Sequence, residues 1–262
     1  MGKDVFKINN ISKAFGTMKN QNYLKVIEDI SMNVSEKEFI IILGNSGSGK
    51  STYLKILGGI LEASSGSIEY NGKDYGTSID RSALKSFGFV FQNNNLLQWL
   101  TAEGNLRFML KMMHLKGEEW SNRVDDMLRI VGLIDYKTFY PHELSGGMMQ
   151  RVAIARALVH DPDILILDQP LGALDAITRK VLSYEVLNIW KQTQKTIIMV
   201  TNNVDEALLL ASRIFIFSPL PATITHEFKV DIPVEERNPG IIQNETYNQL
   251  RGQIKEIVRS TM

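Results

Sequence analysis

The sequence predicts an α/β fold built on a mostly parallel β-sheet, and three observations carry that prediction. Residues 39–43, 164–167, 196–201 and 213–217 are short runs dominated by apolar, often β-branched side chains. Strands buried on both faces read as such runs rather than as alternating patterns. Between two of them Leu182, Val186, Ile189 and Trp190 recur at i, i+4, i+7 and i+8, one face of a helix. A glycine-rich turn joins the first run to another helical stretch. Alternation of this kind gives a parallel sheet covered by helices on both faces.

The elements follow in order. Residues 5–30 with 67–70 read as a small antiparallel β layer. Residues 39–43 form the first buried strand, followed by the turn and a helix to Leu57, closed by Gly58 and Gly59. Over residues 93–152 the strand signal vanishes and helix formers dominate. Thr101 can N-cap a helix through Leu115, and residues 120–131 read as another, so a helical subdomain interrupts the α/β core. Strands at 164–167, 196–201 and 213–217 complete the sheet. After Ser218, the prolines Pro219, Pro221, Pro233 and Pro239 are expected to break regular structure. Tyr247, Leu250, Ile254 and Ile257 then mark a terminal amphipathic helix. The expected division is a core with the β layer over 1–92 and 152–230, the helical subdomain over 93–151, and a C-terminal extension over 231–262. There are no repeats or low-complexity tracts.

Composition narrows the function. The 262 residues allow one large or two small domains, and 44% hydrophobic content suits a soluble globular protein. With 29 Lys+Arg against 29 Asp+Glu the formal net charge is zero, which argues against bulk electrostatic binding to nucleic acid. Without cysteine there is neither a disulfide framework nor a Cys-based zinc site. No apolar run approaches the roughly 20 residues of a spanning helix, and residues 1–7 hold no signal-peptide stretch. A cytosolic chain that cannot cross a bilayer by itself is the expectation. His114, His142, His160 and His226 show no pairing, and none is read as a metal ligand.

The chemistry starts at Gly44-Asn45-Ser46-Gly47-Ser48-Gly49-Lys50-Ser51-Thr52, which fills every position of G-x-x-x-x-G-K-[ST] between a strand and a helix. Glycines let the backbone wrap closely, successive amides point at phosphate oxygens, and the helix adds the positive end of its dipole. Lys50 is expected to reach the β- and γ-phosphates. The Ser51 hydroxyl is expected to ligate Mg²⁺, and Asp168, ending an apolar strand, to hold the same ion in its outer sphere. This is a P-loop NTPase core that binds a nucleoside triphosphate with Mg²⁺. A second motif, Leu144-Ser145-Gly146-Gly147-Met148-Met149-Gln150-Arg151, precedes a helical run at 152–159. By itself it reads equally as a tight turn or as another anion-ready helix start. Two such starts in one chain make sense if the second serves a nucleotide held by another copy.

On these motifs the sequence resembles, over nearly its whole length, the ATP-binding subunits of ABC transporters, with a RecA-like core. Leu144 to Met148 is similar to the family's Leu-Ser-Gly-Gly-Gln signature. Phe15, in Ser12-Lys-Ala-Phe15, matches the aromatic that stacks on adenine. Gln92, after Gly88-Phe-Val-Phe91, matches the glutamine between nucleotide, Mg²⁺ and transmembrane partner, and Ala173-Leu-Asp175 matches the loop crossing the dimer interface. The resemblance implies a head-to-tail dimer with two ATP molecules. Each lies between one subunit's Lys50 loop and the other's Ser145, Gly146 and Gly147. The Met-Met-Gln-Arg variant and Leu96-Leu-Gln-Trp-Leu-Thr101 resemble importers for nitrate, sulfonates and taurine. That implies integral-membrane permease subunits, indirectly a solute-binding protein, no nucleic-acid partner, and a peripheral place on the cytoplasmic face of the membrane. Leu96, Leu97, Trp99 and Leu100, with Met109, Met112 and Met113, read as core or as a groove for a permease helix, core filling being favoured for the methionines.

Two departures fall on the chemistry. The family has Asp-Glu where this chain has Asp168-Gln169, and a switch histidine where this chain has Asn202. Gln169 can hydrogen-bond an attacking water but cannot accept its proton. Asn202 can meet a γ-phosphate through its NH₂ but lacks the charge and reach of an imidazole. A milder departure is Gly104, where an acidic residue is usual. Gln169 is either an introduced Glu→Gln exchange that traps the ATP-bound dimer or a feature of a natural degenerate subunit. Both imply an ATPase that is very slow. The alternatives are a nucleotide-binding regulatory module and a degenerate partner of a competent ATPase subunit.

Overall fold

The computed structural model describes residues 3–16, 23–80 and 82–260. Residues 17–22 of the expected antiparallel layer, the first two residues of the chain and the last two of the C-terminal extension lie outside the described residues. In chain order the elements are β1 (Asp4–Phe15), β2 (Leu24–Ser35), β3 (Phe39–Leu43), α1 (Lys50–Leu57), β4 (Ser65–Tyr70), β5 (Lys73–Asp74), β6 (Phe87–Val90), α2 (Ala102–Met112), α3 (Glu118–Ile130), α4 (Gly146–Leu158), β7 (Ile164–Asp168), α5 (Ala176–Thr193), β8 (Thr196–Thr201), α6 (Val204–Leu210), β9 (Arg213–Phe217), β10 (Ile224–Lys229) and α7 (Glu245–Ser260). Two compact units divide them: Met1–Leu84 with Thr196–Met262, and Lys85–Lys195.

The first unit holds the antiparallel layer in the order β2-β1-β4-β5. Alternation builds it: Ile30, Met32 and Val34 of β2 are buried while Ser31 and Asn33 are exposed. One face meets the core and the other meets water. The layer reaches Ser35, beyond the expected Ile30. In the same unit β8, β3 and β9 are parallel, with Leu43 opposite both Thr201 and Ile216. Every residue of β3 and of β8 is buried, as their unbroken apolar character demands. Helix α1 packs on β8, α6 on β3 and β8, and α7 on α6.

One expectation fails here. The proline-rich stretch after Ser218 contains β10, antiparallel to β9 with Phe228 opposite Ile214. Pro219 and Pro221 precede the strand and Pro233 follows it, so the prolines bound the strand instead of preventing it.

In the second unit β6 and β7 run parallel, with Val90 opposite Leu167. Helix α4 lies directly on β6 at Gly88, where a Cβ would stand 2.3 Å from the Ala157 carbonyl oxygen. Only glycine permits that approach. Helices α2, α3 and α4 pack on one another. Thr101 caps α2 as expected, its Oγ1 accepting from the Gly104 amide at 3.1 Å. The helix ends at Met112, not Leu115, because His114 takes φ 58° and turns the chain away. Helix α4 begins at Gly146, six residues earlier than expected, since Ser145 is its N-cap. Leu96 is core, whereas Trp99 is 72% and Met112 59% exposed, so neither of those two fills the core.

Candidate functional site

In the first unit the chain leaves β3 at Leu43 and re-enters regular structure at Lys50. The turn between them needs left-handed backbone: Gly47 has φ 79° and Gly49 φ 84°. Such a conformation is strained for any other L-residue. A Cβ on Gly44 would lie 3.0 Å from Ser48 Oγ, so the loop is also tight. Lys50 is 3% exposed. Its Nζ donates to the carbonyl oxygens of Gly44 at 2.8 Å and Asn45 at 2.6 Å, and to Ser48 Oγ at 3.3 Å. An ammonium at the head of the loop can make charge-assisted hydrogen bonds to an anion entering it. Ser46 and Gly47 are exposed at the loop's tip, and Ser51 and Thr52 are half-buried in the first turn of α1.

Pairing of Leu43 with Thr201 brings the end of β8 beside the start of this loop. Asn202 follows at once and is exposed. Its neighbours hold it on both sides. Thr201 Oγ1 accepts from the Asn203 amide at 3.1 Å and donates to the Glu206 carboxylate. Asn203 Oδ1 caps α6 by accepting from the Glu206 amide at 3.0 Å. Phe15 ends β1, 42% exposed, with the Lys13 ammonium 5.2 Å over its ring.

In the second unit the β6–β7 register places Gln92 and the pair Asp168-Gln169 beyond the carboxyl ends of neighbouring parallel strands, where α/β folds bind ligands. Asp168 is 4% exposed. Gln169 is half-buried at φ 46°, and its carbonyl closes a turn by accepting from the Gly172 amide at 3.0 Å. The start of α4 also meets the residues around the N-terminus of α5 in this unit. A Cβ on Gly146 would lie 3.4 Å from Leu174 Cδ2, and one on Gly147 3.5 Å from Thr178 Cγ2. Ser145 Oγ accepts from the Met148 amide at 3.3 Å, and Asp175 Oδ1 accepts from the Ile177 and Thr178 amides at 3.1 and 3.0 Å. Hydrogen bonds from the Thr178 side chain and amide, then from Ile177, hold the Asp175 carboxyl below the usual range.

Several supporting residues escape sequence reasoning. Arg179 braces the interface loop, donating to the carbonyls of Leu171 at 3.2 Å and Leu174 at 2.7 Å. Arg151 Nε pairs with Glu185 at 3.1 Å, tying α4 to α5. Buried Asn105 and half-buried Arg156 hold the segment after Gln92: Arg156 donates to the Asn94 and Asn95 carbonyls at 2.9 and 2.8 Å. Arg179 alone had a local signal, a basic residue in the first turn of a capped helix. Arg151 and Arg156 depend on partners far away in sequence, whereas Asn105 bonds carbonyls of the segment just before its own helix.

Comparisons with known proteins identify the family of the chain. A family model described as "ABC transporter" matches residues 27–172. The chain is 41% identical over 224 residues to the taurine import ATP-binding protein of Jannaschia sp. (strain CCS1), covering 85% of this chain and 81% of that one. It is 39% identical over 247 residues to the aliphatic sulfonates import ATP-binding protein of Bacillus cereus, covering 94% and 93%. It is 39% identical over 222 residues to the nitrate import ATP-binding protein of Synechocystis sp. (strain ATCC 27184 / PCC 6803 / Kazusa), covering 84% and 80%. Among solved structures it is similar to a dimeric post-hydrolysis state of the ATP-binding cassette MJ0796 bound to ADP and Pi. There the TM-score is 0.72 and identity 30%, over 87% of this chain and all of that one.

Proposed function

The chain belongs to the ABC transporter family, and from that premise we propose that it is the ATP-binding subunit that powers an importer of a small anionic or zwitterionic nutrient of the taurine, sulfonate or nitrate kind. The observation that carries the reading is Lys50. A buried ammonium curled among loop carbonyls at the head of a helix is a cation set to meet phosphate. Relatives named for taurine, sulfonate and nitrate import support the nutrient class.

In this reading the loop amides of residues 44–49 and Lys50 cradle the phosphates of ATP, and Phe15 stacks on the adenine. Ser51, Gln92 and Asp168 would hold Mg²⁺. Their hydroxyl, amide and carboxylate oxygens are of the kind a hard divalent cation takes, with Asp168 acting from its outer sphere. When bound there, the ion would supply charge neutralisation to the phosphates. Residues 1–92 and 152–230 serve as the nucleotide core, 93–151 as the signature-bearing subdomain and 231–262 as an extension. Two copies close head to tail, with Ser145, Gly146, Gly147 and Asp175 of each completing the other's site. Among the described residues no helix is long and apolar enough to cross a membrane. In this reading the solute's path comes from permease subunits, which the chain meets at the cytoplasmic face, and a solute-binding protein delivers to them.

Turnover is slow in this chain. Gln169 stands where a general base is needed, and losing such a base costs roughly 10²- to 10⁴-fold. The exchange Gln169→Glu leaves the φ 46° backbone as it is, since both side chains have the same shape. ATPase of the Gln169→Glu chain should rise at least about tenfold. No rise, with MgATP still bound, would move the block to Asn202, which the double variant with Asn202→His tests. The two departures together favour a second reading, a nucleotide-binding module or the degenerate half of a heterodimer. Copurification with permease subunits and a competent second ATPase marks the heterodimer. ATP-driven self-association with no membrane partner marks the module.

A further inference from the structure

The C-terminal extension grips both ends of α6, the helix that starts next to Asn202. At its carboxyl end sits Arg237, 4% exposed. Its guanidinium donates to the Leu209 and Ala211 carbonyls at 3.3 and 2.8 Å, and to Ile232 at 3.1 and 3.0 Å and Val230 at 3.4 Å. It thus ties the last carbonyls of α6 to the segment that leads into the extension. At the amino end Asp205, on the first turn of α6, faces α7. Arg251 takes its carboxylate in a two-pronged grip, Nε to Oδ1 and Nη2 to Oδ2 at 3.2 Å. Tyr247 donates its hydroxyl to Oδ1 at 3.1 Å, and Lys255 stands 3.7 Å from Oδ2.

Helix α6 is only seven residues long. At 1.5 Å per residue it is about 10 Å from end to end, too short to bend, so a grip at each end fixes it as a rod. Its N-cap is Asn203, and Asn202 is the residue before. Any rotation of α6 about its Arg237 anchor carries Asn202 along. An amide has less reach than the family's imidazole, so its contact with a γ-phosphate depends closely on where α6 points.

We propose that Arg251, with Tyr247 and Lys255, is a positioning group for the switch: through Asp205 it aims α6, and so Asn202, at the γ-phosphate. The inference rests on the nucleotide-binding reading above and adds a role for the C-terminal helix in discriminating ATP from ADP. A grip that merely stabilised the fold would weaken both nucleotides alike or neither. A grip that aims Asn202 acts only where a γ-phosphate is present.

The test compares affinities of the full-length chain for the Mg²⁺ complexes of ADP and of the β,γ-imido analogue of ATP, by calorimetric titration. Arg251→Ala should weaken the analogue roughly three- to tenfold and leave ADP within about twofold. Arg251→Lys should recover part of the loss. Tyr247→Phe, which removes one bond and keeps the packing, should shift the ratio the same way by less. Asn202→Ala should give a similar loss, and the double variant Arg251→Ala/Asn202→Ala no further loss, because both act on one contact. Equal weakening of both nucleotides, no weakening, or fully additive losses would overturn the proposal. A parent chain that binds neither nucleotide would instead bring down the nucleotide reading itself, a separate result.

Discussion

At the scale of single residues, Tyr53 carries a cost the fold accepts. It is fully buried in α1, its ring edge-on to Phe217 at 5.4 Å between centroids. Its hydroxyl has no hydrogen-bond partner among the described residues, and burial drives the phenol pKa far above its ordinary value. An unsatisfied buried hydroxyl costs about 1–3 kcal/mol. Tyr53→Phe should therefore stabilise the chain by about 1 kcal/mol in urea unfolding, with nucleotide affinity unchanged. A loss of stability would show that the hydroxyl has a partner after all. Nothing in the local sequence marks Tyr53 as orphaned, because its surroundings are built by β9, far along the chain. Gln169 and Asn202 are the opposite case. Their positions are fixed by spacing from Asp168 and Thr201, so the residue types alone reveal the departure. Arg237 is buried among backbone carbonyls, with no local signal in the sequence to mark it.

Elements were legible where burial is uniform. The strands β3, β7, β8 and β9 stand on both faces against other layers, and continuous apolar runs betray them. Strand β10 is mostly exposed along Ile-Thr-His-Glu-Phe-Lys and carries no such run. The start of α4 was hidden because Gly146 and Gly147 favour a turn, and the Ser145 cap outweighs them. The segment between β6 and α2 has no regular structure, and Asn105 holds it instead. That side chain is fully buried. Its Nδ2 donates to the Leu97, Leu100 and Thr101 carbonyls at 3.2, 3.2 and 3.0 Å, and its Oδ1 accepts from the Leu97 amide at 2.9 Å. Asn105→Ala removes all four and should cost on the order of 3 kcal/mol. Protease sensitivity should appear first within residues 94–101, with altered Trp99 fluorescence. An unchanged cleavage pattern would mean that Arg156 suffices to hold the segment.

Across the whole molecule, the phosphate loop lies in one compact unit and the signature in the other, yet one chain carries both motifs. The sequence exposed both motifs because each is local; which copy's signature serves which loop is a matter of assembly that no local pattern encodes. Net charge gives no help, being zero over the whole chain and blind to either motif. If two copies share each nucleotide, ligand binding and association are linked, and saturating MgATP stabilises the dimer by mass action. If turnover is also slow at Gln169, as proposed, that dimer accumulates. Light scattering on a sizing column should show a dimer with MgATP and a monomer with MgADP, and Gln169→Glu should reduce the dimer as ATP is consumed. The decisive variant is Ser145→Asp. Aspartate is as good an N-cap as serine, so α4 keeps its start. Its carboxylate, however, occupies the place offered to phosphate and repels it. The Ser145→Asp chain should bind MgATP at the Lys50 loop as a monomer and never dimerise. A dimer that survives this charge would show that the copies associate through some other surface.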